Sequence, residues 1–384
     1  MNRSSWYSPP SRRRLMRRWL VVWVAAVGGV LLTLLVALRW IGDTTARVNS
    51  TLTPEQWMIE LRRTGRPVQA LYLVETAALE SGWTGDRLRL AGDLWREIGD
   101  QYAAAAYWER AALETPDDPI LIRDLAETYL RLGEWTHAAD ALEHYHTLNP
   151  SDRWAAYQLG MIRAAVDPQA VDLLQEAAAE PAYAPIVNAV LQTLRDNPNA
   201  APAERALHVG VAMAEAEQWD YAELAFTQTV GDPQWGALAL AYTGWARDMQ
   251  DKDGSSDIRQ AVALAPDDAR VRYLQGLHYR QINDYPNSIL ALEQAVALDP
   301  ARPEVYAELG LTYELYGDHT SARYWLETAL AMSNNDPRYQ VLLNRLTSEE
   351  QDILSSLGID LNGEAAPEAT ADAMPEQTPN PIAP

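Results

Sequence analysis

The sequence has no cysteine, a single lysine (Lys252) and a single phenylalanine (Phe226) among its 384 residues. Without cysteine, the chain has no disulfide, no thiolate ligand for a metal and no cysteine nucleophile, although the redox compartment stays open. It also has no glycine-rich phosphate loop, no Gly-x-Ser-x-Gly elbow and no His-Glu-x-x-His zinc helix. We therefore expect no enzymatic activity, no cofactor, no metal site and no small-molecule substrate.

Charge is distributed unevenly along the chain. Residues 1–47 carry eight arginines and one aspartate, whereas the remainder carries 23 basic and 52 acidic side chains, a net charge of −29 at pH 7. An acidic surface of this kind repels phosphate backbones. The composition therefore argues against nucleic acid as a partner, and its bias towards arginine and alanine fits a bacterial source.

A long apolar segment follows a cluster of arginines near the N-terminus. Five arginines between residues 12 and 18 precede an uncharged stretch over residues 19–38. A helix of this length spans roughly 30 Å, the thickness of the bilayer hydrocarbon. We predict a transmembrane helix over 19–41, after a basic cytoplasmic N-terminus over 1–18 and before a linker over 42–50. The positive-inside rule then places the rest of the chain on the extracytoplasmic side of the cell membrane.

Two other interpretations of this segment stay open. A cleaved signal peptide would have an unusually long apolar region, and its nearest small-residue cleavage candidate, residues 44–46, is poor. Residues 11–16 also resemble a twin-arginine export signal, but such signals usually precede less hydrophobic segments. We favour an uncleaved anchor because arginines before a membrane span are ordinary determinants of topology.

After this segment, a period of 34 residues runs through the chain. Small and aromatic residues recur at this spacing: Gly65, Gly99 and Gly133; Ala70, Ala104 and Ala138; Gly276 and Gly310; Tyr279 and Tyr313. Periods of this length are typical of stacked helical repeat arrays. Such arrays bury one continuous core between neighbouring units.

The unit that begins at Pro303 shows the clearest pattern. Its predicted first helix contains Tyr306, Leu309, Gly310 and Tyr313, and its second contains Ala322, Leu326 and Ala329. In this pattern the chain resembles the tetratricopeptide repeat (TPR) family. The resemblance implies an all-α, right-handed TPR-like solenoid of about seven to eight helix pairs. Small residues such as Gly310 and Ala322 let the two helices of a pair approach closely.

The period is not uniform along the chain. It is in phase from Thr51 to about Gly160, is lost in a proline-rich stretch, and resumes from Ala203, with a unit near Gly244 that is about two residues short. We predict a bend in one solenoid or a boundary between subdomains where it is lost. The predicted segments are a first array over 51–180, an irregular joint over 181–202, a second array over 203–336, capping helices over 337–358 and a disordered tail over 359–384.

The TPR resemblance also implies a binding surface. In TPR proteins the first helix of each pair lines a concave groove that holds an extended peptide or a partner helix. The candidate groove residues are Arg89, Arg96, Arg123, Glu127, Arg131, Trp154, Tyr157, Met161, Arg270, Tyr273 and Arg280. Arginine and aromatic side chains carry much of the energy of protein interfaces. A basic groove favours an acidic ligand or a C-terminal carboxylate; the alternative at each position is a solvated face or packing against the next repeat.

We therefore predict a single-pass, membrane-anchored TPR scaffold that binds protein partners in the assembly of an envelope complex. The alternative is an extracytoplasmic holdase or assembly chaperone for exported chains, and an enzyme with a cryptic site is a third class. The sequence Asp251-Lys252-Asp253-Gly254 is the nearest approach to a cation loop, but its glycine comes too early and no suitable glutamate follows. We interpret it as a polar turn.

Overall fold

The computed structural model describes residues 53–356 of the chain, and all regular secondary structure in that range is helical. The eighteen helices are α1 (Pro54–Arg63), α2 (Pro67–Ser81), α3 (Gly85–Ile98), α4 (Gln101–Glu114), α5 (Pro119–Leu132), α6 (Trp135–Leu148), α7 (Arg153–Arg163), α8 (Ala170–Ala177), α9 (Ala184–Asp196), α10 (Pro202–Glu215), α11 (Trp219–Thr227), α12 (Gly236–Asp248), α13 (Ser255–Leu264), α14 (Ala269–Gln281), α15 (Tyr285–Leu298), α16 (Pro303–Tyr316), α17 (His319–Met332) and α18 (Pro337–Ser356). The predicted all-α class is confirmed over this part of the chain.

The helices pack in consecutive pairs, and the chain divides into two compact units between Glu114 and Thr115. The first unit contains the pairs α1–α2 and α3–α4. The second contains α5–α6, α7–α8, α10–α11, α12–α13, α14–α15 and α16–α17. Helices α9 and α18 stand outside the pairs. We call the surface formed by the first helices of the pairs in the second unit the first-helix face.

Each pair is held by a close approach of its two helices. A Cβ atom added to Gly210 would lie 2.4 Å from Cε1 of Phe226, and one added to Gly276 would lie 2.5 Å from Cγ of Leu292. Real side chains do not tolerate such distances, so glycine is required where these large side chains pack. The close approach predicted from the small residues of the repeat is therefore observed.

Two pairs are shorter than the rest. The contacting residues of a full pair are 16 positions apart, as in Gly276 and Leu292, but Gly160 contacts Leu174 and Gly244 contacts Ile258 at a spacing of 14. The contact between the helices is thus kept, and the second helix begins closer to it: α15 begins seven residues before Leu292, but α13 begins three residues before Ile258 and α8 four before Leu174. This is the shortening that the sequence indicates near Gly244.

A left-handed residue in the turn between the two helices recurs in most of the pairs and accounts for the regular spacing of the glycines. Gly99 has a φ of +102° and Gly133 a φ of +70°, a left-handed conformation that glycine adopts without steric cost. In the second unit the same conformation recurs at Glu217, Asp251 and Asn283, with φ of 59°, 56° and 61°. These residues tolerate it less well, so the turn position persists where the glycine period does not. Asp251 is therefore part of a turn, as predicted.

The stretch predicted as an irregular joint, 181–202, instead contains α9. Its residues Val187, Val190 and Leu191 are buried, and it packs against α8 and α10. One hydrophobic core runs through this region from Ala156 to Leu277. The second unit is therefore continuous across the predicted joint, because an unpaired helix bridges the pairs on either side.

The C-terminal end of the described chain also differs from the prediction. A single helix, α18, replaces two short capping helices over 337–358, because the sequence between them has no glycine or proline to stop it. Tyr339 and Leu346 of α18 are buried in a cluster with Leu326 of α17. The helix thus covers the apolar side of the last pair, as a cap must.

Several predictions concern segments outside the described residues. These are the basic N-terminus over 1–18, the transmembrane helix over 19–41, the linker over 42–50 and the disordered tail over 359–384. None of the helices between residues 53 and 356 combines the length and the hydropathy needed to cross a membrane.

Candidate protein-binding surface

The predicted groove residues lie on first helices, but not all of them are exposed. Tyr157 and Met161 on α7 are only 6% and 1% accessible. The ring of Tyr157 stacks on Tyr183 at a centroid distance of 4.4 Å, and its hydroxyl donates to Oε1 of Gln218 at 3.0 Å. Tyr183 and Gln218 are the residues just before α9 and α11. Because these helix starts cover α7, Tyr157 and Met161 belong to the core and not to an open groove.

Arg123 is held by neighbouring side chains of the second unit. Its Nε donates to Glu127 at 2.9 Å, its Nη1 donates to Asp152 at 3.2 Å, and its guanidinium lies 4.6 Å from the ring centroid of Trp154. The Tyr145 hydroxyl donates to the same oxygen of Asp152 at 2.7 Å. The hydrogen bond to Glu127 raises the pKa of Arg123. These contacts join α5, α6 and the N-terminus of α7, so Arg123, Glu127 and Trp154 connect neighbouring pairs.

The arginines of α14 have the same kind of surroundings. Arg270 pairs with Asp268 at 2.9 Å, and its guanidinium lies 5.5 Å from the ring of Trp235. Arg280 pairs with Glu308 of α16. Tyr273 on α14 is covered by the Arg302 guanidinium at 5.5 Å, and burial raises the pKa of its phenol.

The remaining candidates also have partners. Arg96, in the first unit, lies 4.9 Å from the ring of Trp108 and 4.0 Å from an oxygen of Asp93. Arg89 lies on the same helix and is half-buried, and Arg131 donates to Oγ1 of Thr128 at 3.2 Å. Four of the six predicted arginines (Arg96, Arg123, Arg270 and Arg280) are thus paired with carboxylates. This pairing removes the reason for expecting an acidic ligand. Whether any of these residues binds a partner stays a prediction.

A pocket of about 340 Å³ opens on the first-helix face between α9, α10, α12 and α14. We call it the α10 pocket. Its lining residues are Thr193, Asn197, Glu204, Leu207, His208, Val211, Ala212, Glu215, Trp235, Leu238, Tyr242 and Arg270. The volume lies at the lower end of the range for ligand pockets. Of the predicted residues, only Arg270 lines this pocket.

The polar groups of the α10 pocket are incompletely paired. The Nδ1 atom of His208 is buried and has no hydrogen-bond partner within the described range. The side chains of Glu204 and Glu215 likewise form no ion pair or hydrogen bond with another described residue, whereas Asn197 donates to the carbonyl of Thr193 at 2.9 Å. Glu204 is half-buried and Glu215 is exposed at the rim, so of these groups only the Nδ1 atom of His208 is a buried polar atom that lacks a partner among the described residues.

The ring of Tyr242 in the pocket wall is held in place by a core residue on the neighbouring helix α11. The Tyr242 ring stacks on Phe226 at 4.9 Å, and Phe226 is the residue that packs against Gly210. Burial raises the pKa of Tyr242, and the nearby cations Arg302 and Arg270 act against that rise. The phenol therefore stays neutral at physiological pH. Sequence reasoning missed this pocket because one of its walls belongs to α9, a helix in the stretch that was predicted to be irregular.

A buried cluster in the second unit has the chain of contacts of a hydrolase triad: a carboxylate next to a histidine and a histidine next to a serine. His278 Nδ1 lies 2.7 Å from Oδ2 of Asp248, and its Nε2 lies 3.3 Å from Oγ of Ser255. The side chains of His278 and Asp248 are each 4% exposed, and none of the three residues lines the α10 pocket. Asp248 also accepts the backbone N–H of Gly254 at 3.1 Å. The cluster thus joins α12, the following turn and α14, which is a structural role.

This cluster and the acidic turn give no sign of a metal centre. No group of three or more His, Cys, Asp or Glu residues in the described part of the chain is arranged to hold a metal ion. Asp253, in the predicted polar turn, accepts the N–H of Ser255 at 2.9 Å. Asp248 and His278 are 30 positions apart and form no local motif, so the sequence alone does not indicate their contact.

Comparison with known proteins supports a TPR protein. The family model described as TPR repeat matches residues 276–317, which cover the end of α14, α15 and α16. No curated protein sequence matches the chain significantly. The match lies in the region where the sequence pattern is clearest, and it supports a repeat fold that mediates contacts between proteins.

Several solved structures are similar over most of this chain. A thermophilic TPR protein of Thermus thermophilus has 18% identity, covering 69% of this chain and 99% of its own, with a TM-score of 0.24. A tetratricopeptide repeat protein of Parabacteroides merdae has 15% identity, coverage of 67% and 97%, and a TM-score of 0.32. Yeast Tom70 has 15% identity, coverage of 71% and 67%, and a TM-score of 0.35. Likenesses this distant carry no argument about partners.

Proposed function

We propose that the protein is a single-pass membrane-anchored scaffold that binds a protein partner through the α10 pocket and the first-helix face around it. The observation that carries this proposal is the pocket itself. It is lined by the first helices of three consecutive pairs, α10, α12 and α14, and by the unpaired α9. A partner that enters it contacts several repeats at once, which is how helical repeat arrays bind extended ligands.

The membrane anchor and the location rest on the sequence. Five arginines followed by the uncharged stretch over residues 19–38 favour a span with its N-terminus in the cytoplasm. The repeats then lie outside the cytoplasm, where a tethered array gathers the parts of an envelope complex. Protease added to spheroplasts should digest the repeats and spare an N-terminal tag; the reverse pattern would show that the orientation is wrong.

The binding proposal is tested by site-specific photo-crosslinking in membranes. A photoreactive residue is placed at Val211, which lines the pocket, and in a matched variant at Tyr324, which is 60% exposed on the second helix α17. We expect one or a few partners to be captured from Val211 and not from Tyr324. The capture should be lost in the variant Trp235→Ala, which removes an aromatic wall of the pocket.

Two results would count against the scaffold. Equal capture from Val211 and Tyr324 would show that the first-helix face has no special role. Capture of many unrelated chains from both positions would instead identify a holdase, because a holdase contacts its clients through dispersed apolar surface.

A further inference from the structure

Resting on the proposed function, we propose that the α10 pocket binds an arginine or lysine side chain of the partner protein. The starting point is the charge that lines it. Glu204 and Glu215 both face the pocket, and neither is neutralised by another residue of the described chain. The two carboxylates lie in the first turn and at the last residue of α10. A cationic side chain that enters the pocket therefore gains one carboxylate partner that is not already engaged, and the second carboxylate adds to the negative potential there.

The position of Glu215 is not explained by helix stability. It is the last residue of α10, where the negative end of the helix dipole disfavours a carboxylate. Glu204 lies in the first turn, where the same dipole favours it. A bound cation at the C-terminal end of α10 would stabilise Glu215 in a place where the fold alone does not.

The apolar part of the pocket fits the stem of a long basic side chain. Leu207, Val211 and Leu238 line it together with the rings of Trp235 and Tyr242. Lysine and arginine place their methylene groups on apolar surface and keep the charged end at polar groups, and aromatic rings attract that charge. The unpartnered Nδ1 of His208 offers a further hydrogen-bonding group.

Arg270 also lines the pocket, but it does not reverse the preference for a basic ligand. Its guanidinium is paired with Asp268 at 2.9 Å and lies against Trp235. A carboxylate ligand would have to compete with Asp268 for Arg270 while lying beside Glu204 and Glu215, and like charges at an interface are unfavourable. The chain's net charge of −22 also draws basic partners towards it.

The test is a selection of nonapeptides from a random display library on the full-length protein in detergent micelles. Selected peptides are retained if they crosslink to a photoreactive residue at Val211, so that their place of binding is known independently of charge. We expect arginine or lysine at one position of the retained peptides. Replacing it with glutamine should weaken binding, measured by fluorescence anisotropy, by roughly tenfold.

The pocket is varied in parallel. The double variant Glu204→Gln/Glu215→Gln keeps the shape of both side chains and should lower the affinity for the basic peptide by roughly tenfold. Its affinity for the glutamine-substituted peptide should equal that of the wild type. The matched control Glu327→Gln, at an exposed position of α17, should change neither affinity by more than about twofold.

The two proposals fail in different ways. Retained peptides without a basic residue, or peptides whose affinity is unchanged in the double variant, would overturn the ligand class while leaving binding at this face in place. If no selected peptide crosslinks at Val211, the proposed function fails, and the inference fails with it.

Discussion

Two regions of the first-helix face use the same kinds of residue in opposite ways. Around Arg123, the guanidinium, the ring of Trp154 and the carboxylates of Glu127 and Asp152 contact one another and connect α5 to α7. Around the α10 pocket, Glu204 and Glu215 have no partner among the described residues. Residue type alone thus does not identify a binding surface. What distinguishes the two regions is whether the fold already satisfies the polar groups.

The largest expected effect is at the buried pair of Asp248 and His278. His278→Ala removes the side-chain partner of the buried Asp248 and leaves it only the N–H of Gly254; it should lower the free energy of unfolding by about 3 kcal/mol, measured by urea denaturation. Ser255→Ala, at the more exposed end of the same cluster, should cost about 1 kcal/mol or less. Equal costs for the two variants would contradict a structural role centred on the Asp248–His278 pair.

The next effect concerns the close approach inside a pair. Gly210→Ala places a Cβ atom against Phe226, whose ring supports Tyr242 in the pocket wall. Overpacking of this kind should cost about 1–3 kcal/mol and weaken ligand binding as well. Gly231→Ala is the control, because a Cβ atom there meets nothing within 4 Å. A neutral Gly210→Ala would show that Phe226 moves freely, contrary to the packing described.

A smaller effect distinguishes the two regions directly. Arg123→Ala removes contacts between neighbouring pairs and should lower stability by about 1 kcal/mol without changing ligand affinity. Glu215→Gln should leave stability unchanged or slightly higher, because it removes a carboxylate from the end of α10, and should weaken the basic ligand. Thermal unfolding followed by circular dichroism, with binding by anisotropy, gives both quantities for each variant. A loss of ligand affinity in Arg123→Ala, with a loss of stability but not of affinity in Glu215→Gln, would contradict the roles assigned to the two regions.

An effect comparable to that of Arg123→Ala is expected at Tyr157 of α7, which contacts Tyr183, just before α9, and Gln218, just before α11. Tyr157→Phe removes the hydrogen bond to Gln218 and keeps the stack on Tyr183, so it should cost about 0.5–1.5 kcal/mol. Urea denaturation is again the measurement. A cost near zero would mean that ring packing alone holds α7 against α11.

The sequence predicts the pairs well because their contacts are local. Gly276 and Leu292 are 16 residues apart, on two consecutive helices joined by a short turn. The left-handed turn residues also recur with the period, even where another residue replaces glycine. The helix α9 was missed for a physical reason. Pro185 and Pro202 suggested irregular structure, but they occupy the first turns of α9 and α10, where proline lacks only a hydrogen bond that the helix does not need.

The binding surface is harder to predict because it depends on distant contacts. Arg123 and its partner Asp152 are 29 residues apart, and the ring of Trp154 is fixed against that arginine by the stacking of two pairs. From sequence, Arg123 and Arg270 are equally good candidates. The pairing of Arg123 with Asp152, and the lack of ion-pair partners for Glu204 and Glu215 among the described residues, follow only from the folded arrangement.

The most direct test of the account is the affinity of one pocket-crosslinking basic peptide for three full-length proteins: the wild type, Glu204→Gln/Glu215→Gln and Arg123→Ala. The account predicts a roughly tenfold loss for the glutamine variant and an unchanged affinity for Arg123→Ala. A loss confined to Arg123→Ala, with full affinity for the glutamine variant, would contradict it.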